Sequence, residues 1–456
     1  MHLQRLTLTN FKCFPTQELR LSKITILLGA NSTGKSSILQ GILAPLQSDQ
    51  FPTTLSANGP LVDLGDFASI AFGHRRDAEV SIDLRIDGDE LGSVSLRGTF
   101  RRSPKTGMPE VAAAELSDDS FHASITRNDR FKGEWSYDAE KDRFRRNVLG
   151  NEQMQRFYLN LAGMLAAGSR KQPTGAESTG DEGRAPGLED APRSGTLTFT
   201  RPYEFFRRLD QPRYILLSIH LTTLSTMVQR LRTQFNYVGS FRQEPHRSYP
   251  RVSRGDLKVQ RDGQNYIEQI AEWQEQEPRR LTQLKSALRS LKLVSSVRTH
   301  KMRSGLFQVS VQPQASTMSI SLADVGFGVS QILPILVADL QLPRGGTLAV
   351  SQPEIHLHPS AQADFADYLV RRIRSAQRRF IVETHSEYLI NRLRLLVANG
   401  SLSAEDLSIV YLSNDGVRSQ SHEVRFTTDG KVEGAPKEFF QTYMADVMNI
   451  AMQAGK

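Results

Sequence analysis

With 456 residues, 39% of them hydrophobic and 23% charged, the chain has the size and composition of a globular protein of two or three lobes. A single cysteine, Cys13, excludes an intramolecular disulfide framework and suits a reducing, cytoplasmic setting; no apolar run nears the roughly 18 residues that span a bilayer, and Met1 to Arg5 opens without a signal-peptide core. The formal charge of +8 suits a polyanion such as DNA or RNA and equally suits a nucleotide.

In chain order, Leu3, Leu6 and Leu8 alternate as in a strand, and after a turn at Pro15 a second strand follows. Ile24-Thr25-Ile26-Leu27-Leu28 reads as a buried strand. It runs into Gly29-Ala30-Asn31-Ser32-Thr33-Gly34-Lys35-Ser36, the G-x-x-x-x-G-K-S pattern of a phosphate-binding loop, and then into apolar residues at helical spacing, Ile38 to Leu43. Strand, glycine loop and helix N-terminus suit a triphosphate: backbone N–H groups and the helix dipole face the anion, Lys35 adds a point charge, and the Ser36 hydroxyl reaches Mg²⁺. Asn31, Ser32, Gly34, Lys35, Ser36 and Ser37 are therefore candidate nucleotide-binding residues.

Residues 49–60 are polar and turn-rich, and the alternating runs 79–86 and 91–100 predict antiparallel strands beside the nucleotide sheet. Helical periodicity marks 153–167, 203–209, 215–235 and 266–293, interrupted at 168–195 by a Gly-, Ser-, Pro-, Glu- and Arg-rich stretch that reads as a disordered loop. Alternating runs at 294–298, 306–311 and 318–322 lead back towards an α/β rhythm. There a helix near 330–340, the strand Thr347 to Val350, a helix over 359–376, the strand Phe380 to Val382, a helix to about residue 398 and the strand Leu407 to Leu412 follow one another. The fold class is α/β, a mixed sheet assembled from both chain ends, with an antiparallel β subdomain and a helical insertion. The expected divisions are 1–145, 146–293 and 294–456.

Three further stretches fit the same site. Asp324-Val325-Gly326-Phe327-Gly328-Val329-Ser330-Gln331 is either a second anion-binding helix start or an ordinary loop and cap. Ser351-Gln352-Pro353-Glu354-Ile355-His356-Leu357-His358 places a polar cluster after a buried strand, where open α/β sheets bind ligands; without a third ligand, His356 and His358 read as loop-ordering residues more readily than as a metal pair. Glu383-Thr384-His385-Ser386 follows another strand and offers a histidine to the γ-phosphate or the attacking water. Arg371-Arg372-Ile373-Arg374 and Arg378-Arg379 are either a site for DNA or an acidic partner, or a solvated helix face.

Taken in this order the motifs resemble the ATP-binding cassette ATPases of the SMC/OLD type, especially compact bacterial AAA-type ATPases of antiviral defence. The matching text is Leu8-Thr9-Asn10-Phe11-Lys12-Cys13-Phe14, Gly29 to Ser36 as Walker A, Val62-Asp63-Leu64-Gly65, Tyr237-Val238-Gly239-Ser240-Phe241-Arg242, Gly326 to Gln331 as signature, Gln352 to Pro359 after Walker B, and Glu383 to Ser386 as switch. The resemblance implies an ABC-type P-loop NTPase head that binds ATP and Mg²⁺ and sandwiches ATP in a homodimer or higher homo-oligomer. It implies that Lys35 holds the β/γ-phosphates, Ser36 the Mg²⁺, Ser330 with Gln331 the γ-phosphate across the dimer, and that His385 is the switch histidine, with Asn10 and Lys12 nearby.

The sequence departs from this pattern at Walker B, where Ser351-Gln352-Pro353 stands for the usual Asp-Glu-Pro. A serine can hold a metal-bound water, making Ser351 with Ser36 the metal candidates; Gln352 can orient the nucleophile, and Glu354 is the nearest carboxylate for a base. ATP binding with slow or partner-dependent hydrolysis is the expectation. The stretch after Leu412 is too short for a nuclease domain and no nuclease-like cluster is evident. The resemblance therefore implies the ATPase subunit of a system of the PARIS or Septu kind, controlling a separate nuclease or toxin, with DNA or a phage protein as further partners and no membrane. Two alternatives stand beside it: an SMC-like DNA-repair ATPase, although no long heptad run is present, and an ATP-locked scaffold, favoured by Ser351 and Gln352.

Overall fold

The computed structural model describes residues 1–88, 92–127, 130–138, 141, 194–199, 201, 215–250, 258–302, 305–436 and 439. In chain order its elements are β1 (His2–Phe11), β2 (Phe14–Arg20), β3 (Ile24–Gly29), α1 (Lys35–Gln47), α2 (Phe67–Ile70), β4 (Val80–Gly88), β5 (Gly92–Arg102), β6 (Pro109–Ser117), β7 (Phe121–Arg127), β8 (Phe131–Tyr137) and β9 (Ser194–Phe199). Next come α3 (Ile215–Thr233), β10 (Phe235–Val238), β11 (Tyr249–Pro250), α4 (Tyr266–Glu275), α5 (Pro278–Ser290), β12 (Val294–Lys301), β13 (Leu306–Pro313), β14 (Ile320–Ser321) and α6 (Phe327–Gln341). The last are β15 (Thr347–Ser351), α7 (Pro359–Ser375), β16 (Arg379–Glu383), α8 (Glu387–Ala398), β17 (Leu407–Asn414), β18 (Ser419–Phe426) and β19 (Val432–Glu433). The helical periodicities at 153–167 and 203–209 and nearly all of the expected loop 168–195 lie outside the described residues; the last two residues of that loop open β9. Among the described residues no helix is long and apolar enough to cross a membrane.

Two compact units share the chain: Met1–Phe11, Gly41–Gly59 and Leu64–Arg232 make the first, and Lys12–Gln40, Pro60–Asp63 and Thr233–Lys456 the second. In the first, β1 pairs with β4 and the antiparallel order continues through β5, β6, β7 and β8 to β9. Strict alternation builds its core face, as in β4, where Val80, Ile82, Leu84 and Ile86 are buried. The sequence reading found β4 and β5 but not β6, because Ala112, Ala113 and Ala114 with Glu110 and Glu115 are poor strand formers in isolation and gain their place from the register with β5 and β7.

At the turn between β6 and β7, Asp118 accepts the backbone N–H groups of Ser120 (2.7 Å) and Phe121 (2.9 Å) and pairs with His220 Nε2 of α3 at 2.8 Å. Both side chains are buried. Burial alone would raise the Asp118 carboxyl, but the His220 hydrogen bond and charge, with the Ser120 donors, outweigh it and hold it below the ordinary carboxylate value. A depressed folded pKa means the unfolded chain takes up the proton first. The stabilisation is therefore full above the unfolded value of about 3.9 and is lost as pH falls through the folded one. Asp118→Asn should cost about 2 kcal/mol at neutral pH. It should also flatten the acid limb of a plot of thermal midpoint against pH; an unchanged acid limb would show that the pair does not carry that dependence.

The second unit is built on a seven-stranded sheet in the order β10-β15-β16-β3-β17-β18-β19, parallel from β10 to β17 and antiparallel beyond. Its central strands are buried on both faces, which is why Ile24 to Leu28 and Thr347 to Val350 are almost unbroken apolar runs. Helices α7 and α8 form the crossovers from β15 to β16 and from β16 to β17. Helix α6, expected from residue 330, begins at Phe327 and is buried from Val329 to Leu340. The helical spacing at 266–293 becomes α4 and α5, whose Trp273, Leu284 and Leu288 are fully buried in the same core, and β11, β12, β13 and β14 make a small second sheet.

Within the arginine-rich runs, Arg372 and Arg378 have a structural role. Asp339 of α6 is fully buried and accepts Arg372 Nε and Arg378 Nε, each at 2.5 Å, together with the Tyr368 hydroxyl. Arg378 also caps the carbonyls of Asp339 and Leu342. A buried carboxylate needs compensating donors, and these two arginines supply them. They hold α6, α7 and the start of β16 together. Arg371 and Arg374 bond Ser290 and the Ser401 carbonyl.

Candidate nucleotide site

The loop from Gly29 to Ser36 joins β3 to α1, as the sequence pattern predicts. Gly29 (φ +139°) and Gly34 (φ +99°) hold backbone conformations closed to side chains; a Cβ on Gly29 would lie 2.2 Å from the Leu412 carbonyl oxygen, and one on Gly34 2.6 Å from Cys13 Sγ. Asn31 and Ser32 are exposed on the loop, Ser36 is exposed at the helix start, and Ser37 and Gly34 are half-buried. Lys35 is buried and donates to the carbonyls of Gly29 (2.9 Å) and Ala30 (2.7 Å). Burial lowers its pKa, and the nearby carboxylates of Glu383 and Glu354 oppose that shift.

The carboxyl ends of the two neighbouring strands complete the site. Strand β16 lies between β3 and β15, and its last residue, Glu383, is in register with Ser351, the last of β15. The Glu383 carboxylate accepts the Ser36 hydroxyl through one oxygen and the Ser351 hydroxyl through the other, both at 2.8 Å. Tyr237 of β10 lies 3.2 Å from the Ser351 hydroxyl. Beyond β15 the chain turns sharply, with Gln352 at φ +49°, its N–H bonded to the Glu383 carbonyl at 2.6 Å. Glu354 then reaches the switch segment, accepting the Thr384 hydroxyl and the His385 N–H, both at 2.7 Å. Burial first, and the Lys35 charge second, lower the pKa of His385 from the ordinary histidine value, against the pull of Glu354 and Glu383. A cavity of about 220 Å³ adjoins the loop, lined among others by Gly29, Ala30, His385, Ile390 and Tyr411.

Arg242 ties this region to α6. Buried itself, it donates to the carbonyls of Gly239 (3.0 Å), Gln331 (3.3 Å), Ser351 (2.7 Å) and Gln352 (2.8 Å). Burial pulls its pKa down to about 10, opposed by Glu354 and Tyr237, so it stays charged at neutral pH. Ser330 and Gln331 are buried on α6, and the Ser330 hydroxyl donates to Phe327 O in its own helix at 2.9 Å, whereas Phe327 is exposed and packs on His356. His358 caps α7, accepting the Ser360 N–H. Lys12 belongs to the second unit beside Asp63, and Asn10 bonds the Glu79 carbonyl in the first.

The structure therefore groups Lys35, Ser36, Ser351, Glu354 and His385, and adds Glu383 and Arg242, which the sequence reading left without a role. The signal for Glu383 was present: an acid closes one apolar strand while a neighbouring apolar strand closes on serine.

A glycine loop between a buried strand and a helix, flanked by parallel strands that end on Ser351 and Glu383 with His385 just beyond, is the arrangement of a P-loop nucleotide-binding domain. The chain belongs to the AAA ATPase domain family, which matches residues 1–146 and 226–390. Among solved structures it is similar to the SMC head domain from Thermotoga maritima, at 10% identity and TM-score 0.40, covering 92% of this chain and 98% of that one. It is also similar to the Smc head domain with an extended coiled coil bound to the C-terminal domain of ScpA, derived from Pyrococcus furiosus (12% identity, TM-score 0.41, all of both chains). A third is the SmcHead bound to the C-winged helix domain of ScpA (11%, 0.40, 93% of this chain and 98% of that one). No curated protein matches the chain at a significant level.

Proposed function

We propose that the second unit binds ATP with Mg²⁺ and hydrolyses it slowly. The observation that carries this reading is the convergence of the Ser36 and Ser351 hydroxyls on Glu383, each at 2.8 Å, beside the glycine loop and Lys35. Hard oxygen donors at a helix N-terminus suit Mg²⁺, which when bound neutralises phosphate charge and polarises the β/γ-oxygens. Lys35 exchanges its bonds to the Gly29 and Ala30 carbonyls for phosphate oxygens. Gln352, held at its turn by Arg242, and His385, held by Glu354, lie at the strand ends where a nucleophilic water must be oriented. Slow turnover follows from the lack of a free acid after β15: Glu354 is committed to Thr384 and His385.

Titration calorimetry with ATP and a phosphate-release assay test the proposal. Binding with turnover below about 1 s⁻¹ is expected, and Lys35→Ala should weaken binding about tenfold or more. Absence of ATP binding by the wild type, or wild-type affinity in Lys35→Ala, overturns it; turnover of tens per second removes the slow component.

The same proposal includes an ATP-sandwiched homodimer acting as the regulatory subunit of an anti-phage system with a separate nuclease. The motif resemblance supports this part, and the +8 charge accords with a polyanionic trigger. Sedimentation with and without ATP, and phage plating of cells carrying the chain with its neighbouring genes, test it. A monomer in saturating ATP rules out the sandwich.

A further inference from the structure

We propose that the acid which secures the metal at this site has moved one strand over: Glu383 on β16, not a residue of β15, holds Mg²⁺ against Ser36. The inference rests on the ATP-binding reading and deepens it. Three observations carry it. First, β15 ends in Ser351, which cannot supply a charge, and Glu383 is its register partner on the adjacent parallel strand, so the two occupy the same height at the carboxyl edge. Secondly, Glu383 faces the P-loop hydroxyl directly, accepting Ser36 Oγ at 2.8 Å, while Ser351 braces the other carboxylate oxygen at 2.8 Å and is itself within reach of the Tyr237 hydroxyl at 3.2 Å. Ser351 is thereby the positioning partner of the acid and no longer its replacement. Thirdly, Glu383 is 5% exposed, and the cation whose charge it feels, Lys35, spends its ammonium hydrogen bonds on the Gly29 and Ala30 carbonyls. Once Lys35 turns to phosphate, two hydroxyl bonds leave the buried carboxylate short of countercharge. A divalent cation beside Ser36 supplies it, with both oxygens already aimed by fixed donors.

Strand order makes the exchange possible. Because β16 is the immediate neighbour of β3, a side chain at its end is nearer the loop than one at the end of β15, which is the next strand out. The longer Glu side chain, steadied by Ser351, therefore reaches Ser36 without any displacement of the sheet.

The experiment measures ATP affinity of the full chain with Mg²⁺ and with EDTA, for the wild type, Glu383→Gln, and Glu383→Gln combined with Ser351→Asp. Circular dichroism melts report folding of each. Mg²⁺ should tighten ATP binding by the wild type. Glu383→Gln, nearly isosteric, should lose at least about tenfold of that Mg²⁺-dependent gain, read as the ratio of its own affinities with Mg²⁺ and with EDTA so that any change in metal-free affinity cancels. Adding Ser351→Asp should restore most of the gain by returning an acid to β15. If the wild type binds no ATP under either condition, the ATP reading itself fails and takes this inference with it. If the wild type binds ATP and Glu383→Gln keeps its full Mg²⁺ gain, only the assignment of Glu383 is overturned. Should Glu383→Gln fail to fold, Glu383→Asp, which keeps the charge but shortens its reach, decides: a reduced Mg²⁺ gain supports the assignment and an unchanged one refutes it.

Discussion

Arg242→Ala is expected to destabilise the second unit by about 3–5 kcal/mol and to abolish productive nucleotide binding with it. The guanidinium is 7% exposed and answers four backbone carbonyls, those of Gly239, Gln331, Ser351 and Gln352. A buried carbonyl left without a donor costs about 1–3 kcal/mol, and water entering the vacated space recovers part of that sum. The Gln352 turn suffers most. Its φ of +49° is unfavourable for a side chain and persists because Arg242 and the Glu383 carbonyl hold both ends of the peptide. Arg242→Lys should recover only a fraction, since one ammonium cannot span carbonyls contributed by β15, the following turn, α6 and the 239–242 loop. Thermal unfolding of the three proteins provides the measurement, and an Arg242→Ala midpoint equal to wild type would sink the claim.

Glu354→Gln separates charge from scaffolding. The carboxylate accepts the Thr384 hydroxyl and the His385 N–H, both at 2.7 Å. A glutamine can keep its carbonyl on His385 N–H and donate its amide to Thr384 Oγ1, a hydroxyl able to accept as well as donate. Stability should therefore stay within about 1 kcal/mol of wild type, while turnover falls about 10²-fold if the negative charge orients or deprotonates the water. Glu354→Ala should lose turnover and stability together, because the switch segment then loses its anchor. Single-turnover hydrolysis at saturating ATP, with affinity measured separately, is the test. Full turnover in Glu354→Gln would reduce Glu354 to a brace for His385 and leave Glu383 as the carboxylate that matters.

The contrast between these residues and the P-loop shows where sequence reading stops. The loop is local: eight consecutive residues contain both glycines that tolerate positive φ, the lysine and the hydroxyl, so spacing alone identifies it. The strands β3, β15 and β16 were equally legible, because strands buried on both faces must be apolar throughout. The antiparallel strands β6, β7 and β8 were not, since an alanine-rich run such as 112–114 has no strand preference until its neighbours pair with it. The arginines at 372 and 378 read equally well as a basic patch until Asp339, on a different helix, claimed both.

Spacing along the chain is enough to recognise a phosphate-binding loop between a buried strand and a helix, and to see that Ser-Gln-Pro stands where the resemblance expects Asp-Glu-Pro. Which side chains meet beside that loop is fixed only by the pairing of the strands. Ser36 and Glu383 are 347 positions apart, and their meeting depends on β16 lying between β3 and β15, an order that chain sequence does not announce. Hydrophobic patterning specifies that a strand is buried, whereas pairing register specifies which side chains share an edge, and it is the edge that holds the charge.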